Sequence, residues 1–249
     1  MELLLLSNST NHGRGYLEHA LTEVADFLSG VRKLIFVPYA LADHPAYTAM
    51  VASALEPLGI EVVGLQDLVG LQADQRDVLA DAGAVFVGGG NTFRLLKTLQ
   101  QRTLVEPLSA AVRAGKTRYM GASAGTNIAG GSIRTTNDMP IVEPESFVAL
   151  GLVPFQINPH YVDADPQSTH GGETREKRIT EFVEENDVPV VGLREGTWLR
   201  VSNSQARIGG QSVAATSTGP AVVFARGQQL REVSEDIDWL LESEPRFDV

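Results

Sequence analysis

Apolar residues along this chain gather into short unbroken runs, and each early run is followed by a longer stretch with helical spacing. Leu3–Ser7 (LLLLS) precedes a helical pattern from about Tyr16 to Ser29, with Leu17, Ala20, Leu21, Val24 and Leu28 on one face. Leu34–Tyr39 (LIFVPY) precedes a second helix through Tyr47–Leu58, stopped by Gly59. Val62–Leu65, a helix around Asp74–Ala82 and the strand Ala84–Val87 continue the series. Strands without polar alternation are buried on both faces, as parallel strands under helices are. Right-handed β-α-β crossovers then predict an α/β fold, a mostly parallel doubly wound sheet with helices on both faces.

From Pro189 the pattern changes. PVVGL, TWLRVSN, QARIGG and AVVFARG are short strand candidates between turns, and they predict antiparallel additions at a sheet edge near the C-terminus. The last stretch, Ser234–Val249, is acidic with an Ile237/Leu240/Leu241 stripe, which predicts a docked helix or a frayed tail. No repeat, low-complexity segment or Gly/Ser linker divides the chain, so residues 1–249 read as a single α/β domain, with about 234–249 as an acidic C-terminal extension.

Composition narrows the chemistry. A formal charge of −11 repels phosphate backbones and anionic membrane surfaces, so neither nucleic acid nor membrane is an expected partner. An anionic substrate needs a local basic pocket to overcome that field. The absence of cysteine excludes disulfides, thiolate catalysis and cysteine-ligated zinc. The N-terminus lacks the basic and long apolar regions of a signal peptide, and no run is long enough to span a bilayer, so a soluble cytoplasmic protein is expected. Monomer and homodimer both stay open.

Ligands of open α/β sheets bind at the carboxyl ends of the strands, and four candidate strand ends carry unusual residues. Gly121-Ala122-Ser123-Ala124-Gly125 is a G-x-S-x-G pattern at a strand-to-helix junction. Its glycines leave room for a strained serine at the apex of a sharp turn, and the helix start and the Ala124 amide would face a developing oxyanion. Taken alone, such a turn serves equally for close helix–strand packing. Gly88-Gly89-Gly90-Asn91-Thr92-Phe93 follows AVFV and offers free amides at a helix start capped by Asn91 or Thr92. Nucleotide binding is disfavoured, because Phe93 replaces the third glycine of GxGxxG and no P-loop follows, and no cofactor is expected.

Asn158-Pro159-His160 ends the strand-like FQIN. Of the histidines, His12 and His44 lie in polar turns and His19 in a helix beside charges, which leaves His160 as the best general-base candidate. A metal reading of His160, Asp163 and Asp165 lacks a second histidine in register, and Asp-Ala-Asp-Pro is ordinary turn composition, so no metal is expected. Glu195, in Val190-Val191-Gly192-Leu193-Arg194-Glu195-Gly196, ends an apolar strand and would orient the imidazole, unless it merely pairs with Arg194 at a hairpin tip. Asp138, in Thr135-Thr136-Asn137-Asp138, competes for that place, and Glu195 is favoured. One sheet edge would thus bring together nucleophile, base, orienting acid and oxyanion amides, a constellation for acyl transfer. The chain order Ser, His, acid differs from the Ser, acid, His order of α/β-hydrolases.

At these residues the sequence resembles the peptidase E family of α-aspartyl dipeptidases, serine peptidase family S51. The matching stretches are MELLLLSNST, VGGGNTF, GASAGTNIA, IRTTNDMPIV, QINPH, GETREKRI and GLREGTW, in order from residue 1 to about residue 210. The resemblance implies a fold similar to class I glutamine amidotransferase domains, with serine in place of their cysteine. It also implies a cytoplasmic dipeptidase that removes N-terminal aspartyl residues from very small peptides. Ser123 would be the nucleophile, His160 the base and Glu195 the third member, with Asp138 also matching a position treated as an active-site acid. The oxyanion donors would be the amides of Gly89 or Gly90 and Ala124.

Two departures stand out: Ala122 takes a position where the family often has a bulkier residue, which would widen the pocket. The segment beyond about Gly227 is long and acidic, leaving a lid or dimer role open.

An aspartyl N-terminus presents an ammonium and a carboxylate close together, and a selective site must pair both. Arg175 is the candidate for the carboxylate, against a solvent pairing with Glu176 or Glu181. Asp138 would take the ammonium, with Asn91 and Thr92 as neutral contacts. Two rivals remain: a hydrolase of isopeptide or β-carboxyl substrates similar to cyanophycinase, and a non-catalytic ligand sensor.

Overall fold

Strand β1 (Glu2–Leu6) shows why the apolar runs lack alternation: Leu3 and Leu5 pack into one core, Leu4 and Leu6 into another, and all four are fully buried. The computed structural model describes residues 1–68, 74–165, 167, 171–213 and 219–249. After β1 come α1 (Leu21–Phe27), β2 (Lys33–Val37), α2 (His44–Leu55), β3 (Glu61–Gly64), α3 (Gln75–Asp81) and β4 (Ala84–Val87). Then follow α4 (Thr92–Gln101), α5 (Val105–Arg113), β5 (Arg118–Ala122) and the single turn α6 (Ala124–Asn127). Beyond them lie β6 (Gln156–Tyr161), α7 (Arg175–Glu185), β7 (Val190–Arg194), β8 (Thr197–Ser202), β9 (Gln205–Gly210), β10 (Ala221–Phe224) and β11 (Arg231–Val233).

The larger sheet has seven strands in the order β3-β2-β4-β5-β1-β8-β9. Its first five are parallel, and β8 and β9 add antiparallel at one edge. Helices α1 and α2 cover one face through Val24, Phe27, Val51 and Leu55. Helices α3, α4 and α5 cover the other through Leu79, Leu95, Leu99, Leu108 and Val112. This is the mostly parallel α/β sheet with helices on both faces that the pattern predicts.

Some expectations need correction. The helix expected over Tyr16–Ser29 is broken: Leu17 sits at φ 60°, a 3-10 turn spans Glu18–Ala20, and α1 starts only at Leu21. The second helix begins three residues early, at His44, because the Asp43 carboxylate caps the Ala46 amide at 3.0 Å. It ends at Leu55 before the 3-10 turn Glu56–Leu58, where Pro57 has no amide to continue the ladder.

The strand candidates after Pro189 do not all join one edge. β7 and β10 form a second sheet, ordered β11-β10-β7-β6, in which β6 and β7 run parallel. The last stretch is docked rather than frayed, and its helical part is one short 3-10 segment. Ile237 and Leu240 are fully buried in the main core, with a 3-10 turn at Asp238–Glu242 and bridges pairing Asp236 with Arg207 and Arg246 with Asp187.

Candidate active site

Ser123 sits between β5 and α6 at φ 52° and ψ −109°, a conformation that L-residues avoid at a cost of about 1–3 kcal/mol. Three glycines crowd around it. A Cβ on Gly125 would collide with the Val87 carbonyl, one on Gly121 would lie 2.6 Å from the Gly125 carbonyl, and one on Gly89 would lie 3.1 Å from Ser123 Cβ. The turn is tied down from β1, since the Leu6 carbonyl accepts the Ser123 amide at 3.1 Å and the Thr126 hydroxyl at 2.6 Å. Helix α6 is four residues long, so it supplies the unbonded first-turn amide of Ala124 rather than a long macrodipole. Ala122 is fully buried in the core on the α1/α2 face; its small side chain does not widen the pocket.

His160 reaches Ser123 from the second sheet. Between Asn158 and Tyr161 the β6 ladder takes three steps where β7 takes two, from Gly192 to Arg194. His160 lies in this bulge at φ 54°. The Ser123 hydroxyl donates to His160 Nε2 at 2.9 Å, and His160 Nδ1–H donates to Glu195 Oε1 at 2.6 Å. Glu195 follows β7 in the turn to β8, where Gly196 at φ 86° reverses the chain. Nucleophile, base and acid therefore come from two sheets, not from one sheet edge.

The same cavity, about 340 Å³, is lined by Thr92, Ser123, Ala124, Asp138, His160, Arg175 and Glu195, with Val162 and Pro159 at its apolar side. Asp138 is not bonded to His160. Its Oδ2 accepts the Thr92 amide at 2.7 Å, the Thr92 hydroxyl at 2.6 Å and the Thr136 hydroxyl at 3.2 Å, while Oδ1 enters none of these bonds. Asn91 does not line the cavity: its Oδ1 caps α4 at the Arg94 amide and its Nδ2 donates to the Met139 carbonyl, so it holds a loop rather than offering a neutral contact. Thr92 likewise spends its amide and hydroxyl on Asp138.

Among the described residues the Arg175 guanidinium has no hydrogen-bond or ion-pair partner, and Glu181 pairs instead with Lys177 at 3.1 Å. Burial, and then the charge of Arg178, hold the Arg175 pKa below its ordinary value, against the pull of Asp138. Burial raises the pKa of the Tyr47 hydroxyl beneath the glycine loop 88–90, against the pull of its hydrogen bond with Tyr16. Gly89 packs against Ser123, and its neighbour Gly90 sits at φ 129°.

Sequence reasoning missed the supports. Ser7 and Asn8, buried directly beyond the leucines of β1, contact the segments that carry the base and the acid. The Ser7 hydroxyl accepts the His160 amide at 2.9 Å and donates to the Leu193 carbonyl at 2.9 Å, and Asn8 Oδ1 accepts the Gly196 amide at 2.7 Å. Two polar residues closing an apolar strand were the available signal.

Arg194 is buried and does not pair with Glu195. It bonds both oxygens of Asp163 and both of Glu232. Burial opposes its charge, but the Glu232 and Asp163 bonds outweigh that and hold its pKa above the ordinary value. Asp163 is thereby engaged away from His160, and among the described residues no three His, Asp or Glu side chains gather as a metal site. Asp165 is bonded to the Gln167 amide, and Pro166 of the same turn lies outside the described residues.

A larger cavity of about 640 Å³, lined by Phe93 and residues 140–147, contains no histidine. Among the described residues no helix is long and apolar enough to cross a membrane.

Comparison with known proteins places these residues in context. The profile described as Peptidase family S51 matches residues 3–209. A protein named Peptidase E from Streptomyces coelicolor is 58% identical over 250 residues, covering 100% of this chain and 98% of its own. A probable alpha-aspartyl dipeptidase from Drosophila melanogaster is 51% identical over 206 residues, covering 82% of this chain and 84% of its own. A crystal structure of a putative Peptidase E from Listeria monocytogenes shares the fold with a TM-score of 0.65 at 24% identity, over 85% of this chain and 98% of that one.

Proposed function

Since the chain belongs to peptidase family S51, we propose that it is a serine dipeptidase that hydrolyses dipeptides with an N-terminal aspartyl residue through Ser123, His160 and Glu195. The observation that carries the reading is the continuous hydrogen-bond series from the Ser123 hydroxyl through the imidazole to the Glu195 carboxylate, at 2.9 and 2.6 Å.

His160 Nε2 takes the Ser123 proton as Oγ attacks the aspartyl carbonyl carbon. The amides of Gly89 or Gly90 and of Ala124 hold the oxyanion, and Glu195 stabilises the imidazolium. The imidazolium returns the proton to the leaving amine, and the C–N bond breaks to leave an aspartyl ester on Ser123. Water, deprotonated by the same imidazole, then hydrolyses that ester and frees aspartate. Arg175 receives the side-chain carboxylate and Asp138 Oδ1 the ammonium. Pairing of that ammonium limits cleavage to the first peptide bond. A cavity of about 340 Å³ suits a substrate of dipeptide size.

The test is hydrolysis of Asp-Leu, isoaspartyl-Leu, Glu-Leu and Asn-Leu by wild type and Ser123→Ala. The proposal expects rapid cleavage of Asp-Leu alone and none by Ser123→Ala. Preference for isoaspartyl-Leu would point to an isopeptide hydrolase, and no cleavage of any member, with no labelling by serine-directed reagents, to a sensor.

A further inference from the structure

The histidine of the site is held in an unfavourable backbone conformation, and one buried hydroxyl from the other sheet is bonded to it. The extra residue in β6 puts His160 at φ 54° and takes it out of register with β7. At that point Ser7, fully buried at the end of β1, lies between the two strands. Its Oγ accepts the His160 amide at 2.9 Å and donates to the carbonyl of Leu193, two residues before Glu195, at 2.9 Å. The preceding residue, Leu6, accepts the Ser123 amide, and the following one, Asn8, accepts the Gly196 amide. Three consecutive residues at one strand end are thus each bonded to a different segment of the site.

We propose that Ser7 is a positioning residue for the hydrolysis, fixing the strained backbone of His160 relative to Glu195 through a hydrogen-bond relay between the two sheets. This rests on the Ser123–His160–Glu195 reading and extends it. An alanine at position 7 would fill the core equally well but leave the bulge without its bridge. The imidazole would then sample orientations in which Nε2 misses the Ser123 hydroxyl. A misplacement of about 1 Å at such a group costs about 100-fold in rate. Ser7 makes no contact with the substrate cavity, so substrate binding should be spared.

The experiment measures Asp-Leu hydrolysis by wild type, Ser7→Ala, His160→Ala, the double variant Ser7→Ala/His160→Ala and Ser123→Ala, with folding checked by circular dichroism. Ser7→Ala is expected to stay folded, to lose about 10- to 100-fold in kcat, and to keep KM within about twofold. In the His160→Ala background, where residual rate comes from the oxyanion amides and binding, the Ser7 change should have no further effect. Should Ser7→Ala fail to fold, Ser7→Cys, a weaker donor and acceptor of similar size, carries the same test. A wild-type kcat in folded Ser7→Ala, or an equal loss with and without His160, overturns the proposal. If Ser123→Ala is inactive in either case, the triad reading survives that failure; if Ser123→Ala retains wild-type activity, the triad reading itself fails.

Discussion

Glu195 and Asp138 face the same cavity as Ser123, and their hydrogen bonds separate their roles. Glu195 is bonded to the imidazole, whereas Asp138 lines the cavity and is bonded through Oδ2 to Thr92 and Thr136. Glu195→Gln should therefore lower kcat by about 10²–10⁴-fold with little change in KM, because the amide no longer stabilises the imidazolium. Asp138→Asn should chiefly raise KM, by about 10-fold or more, through a weakened ammonium bond. Steady-state kinetics on Asp-Leu checks both, and the reverse pattern would exchange their roles. Arg175→Met should reduce the preference for Asp-Leu over Asn-Leu by about 10- to 100-fold, read as a ratio of kcat/KM values.

His19 offers a test on stability rather than on turnover. Both of its ring nitrogens are buried with no hydrogen-bond partner among the described residues, and burial lowers its pKa, against the pull of Glu195. The unfolded chain then takes up the proton first as pH falls, so stability is lost as pH drops through the ordinary imidazole range. His19→Phe should flatten that loss in urea unfolding between about pH 7.5 and pH 5.5.

At the scale of elements, the continuous apolar runs of β1, β2 and β4 were legible because burial on both faces removes polar alternation. The strand end at Ser123 was legible for a similar reason, since only a crowded turn needs so many small residues. Gly125→Ala should destabilise the fold by about 1–3 kcal/mol and abolish hydrolysis, because the added methyl meets the Val87 carbonyl; chemical denaturation and an activity assay check this. The bulge in β6 was hidden. Its cause is the register of β6 against β7, a pairing between segments about thirty residues apart that no local pattern encodes. The break of the first helix at Leu17 was hidden as well, because its apolar spacing continues through the 3-10 turn and α1 without interruption.

On the scale of the whole molecule, the second sheet is the feature the sequence concealed, and it carries both His160 and the strand leading to Glu195. Short apolar strands look alike whether they extend one sheet or start another, so the candidate residues were legible while their convergence from two sheets was not. The acidic C-terminal part is built in rather than appended: Glu232 of β11 shares the buried Arg194 with Asp163, next to Glu195. Glu232→Ala should leave that guanidinium with one carboxylate fewer and lower stability by about 1–3 kcal/mol, measured by thermal or urea unfolding.

The central claim is that Ser123 forms the covalent intermediate. It is tested most directly by treating the protein with a fluorophosphonate and mapping the modified peptide by mass spectrometry while following Asp-Leu hydrolysis. A single adduct on Ser123, forming in step with loss of activity and absent from His160→Ala, is the predicted result. Loss of activity with Ser123 unmodified, or full modification of Ser123 with activity intact, would contradict it.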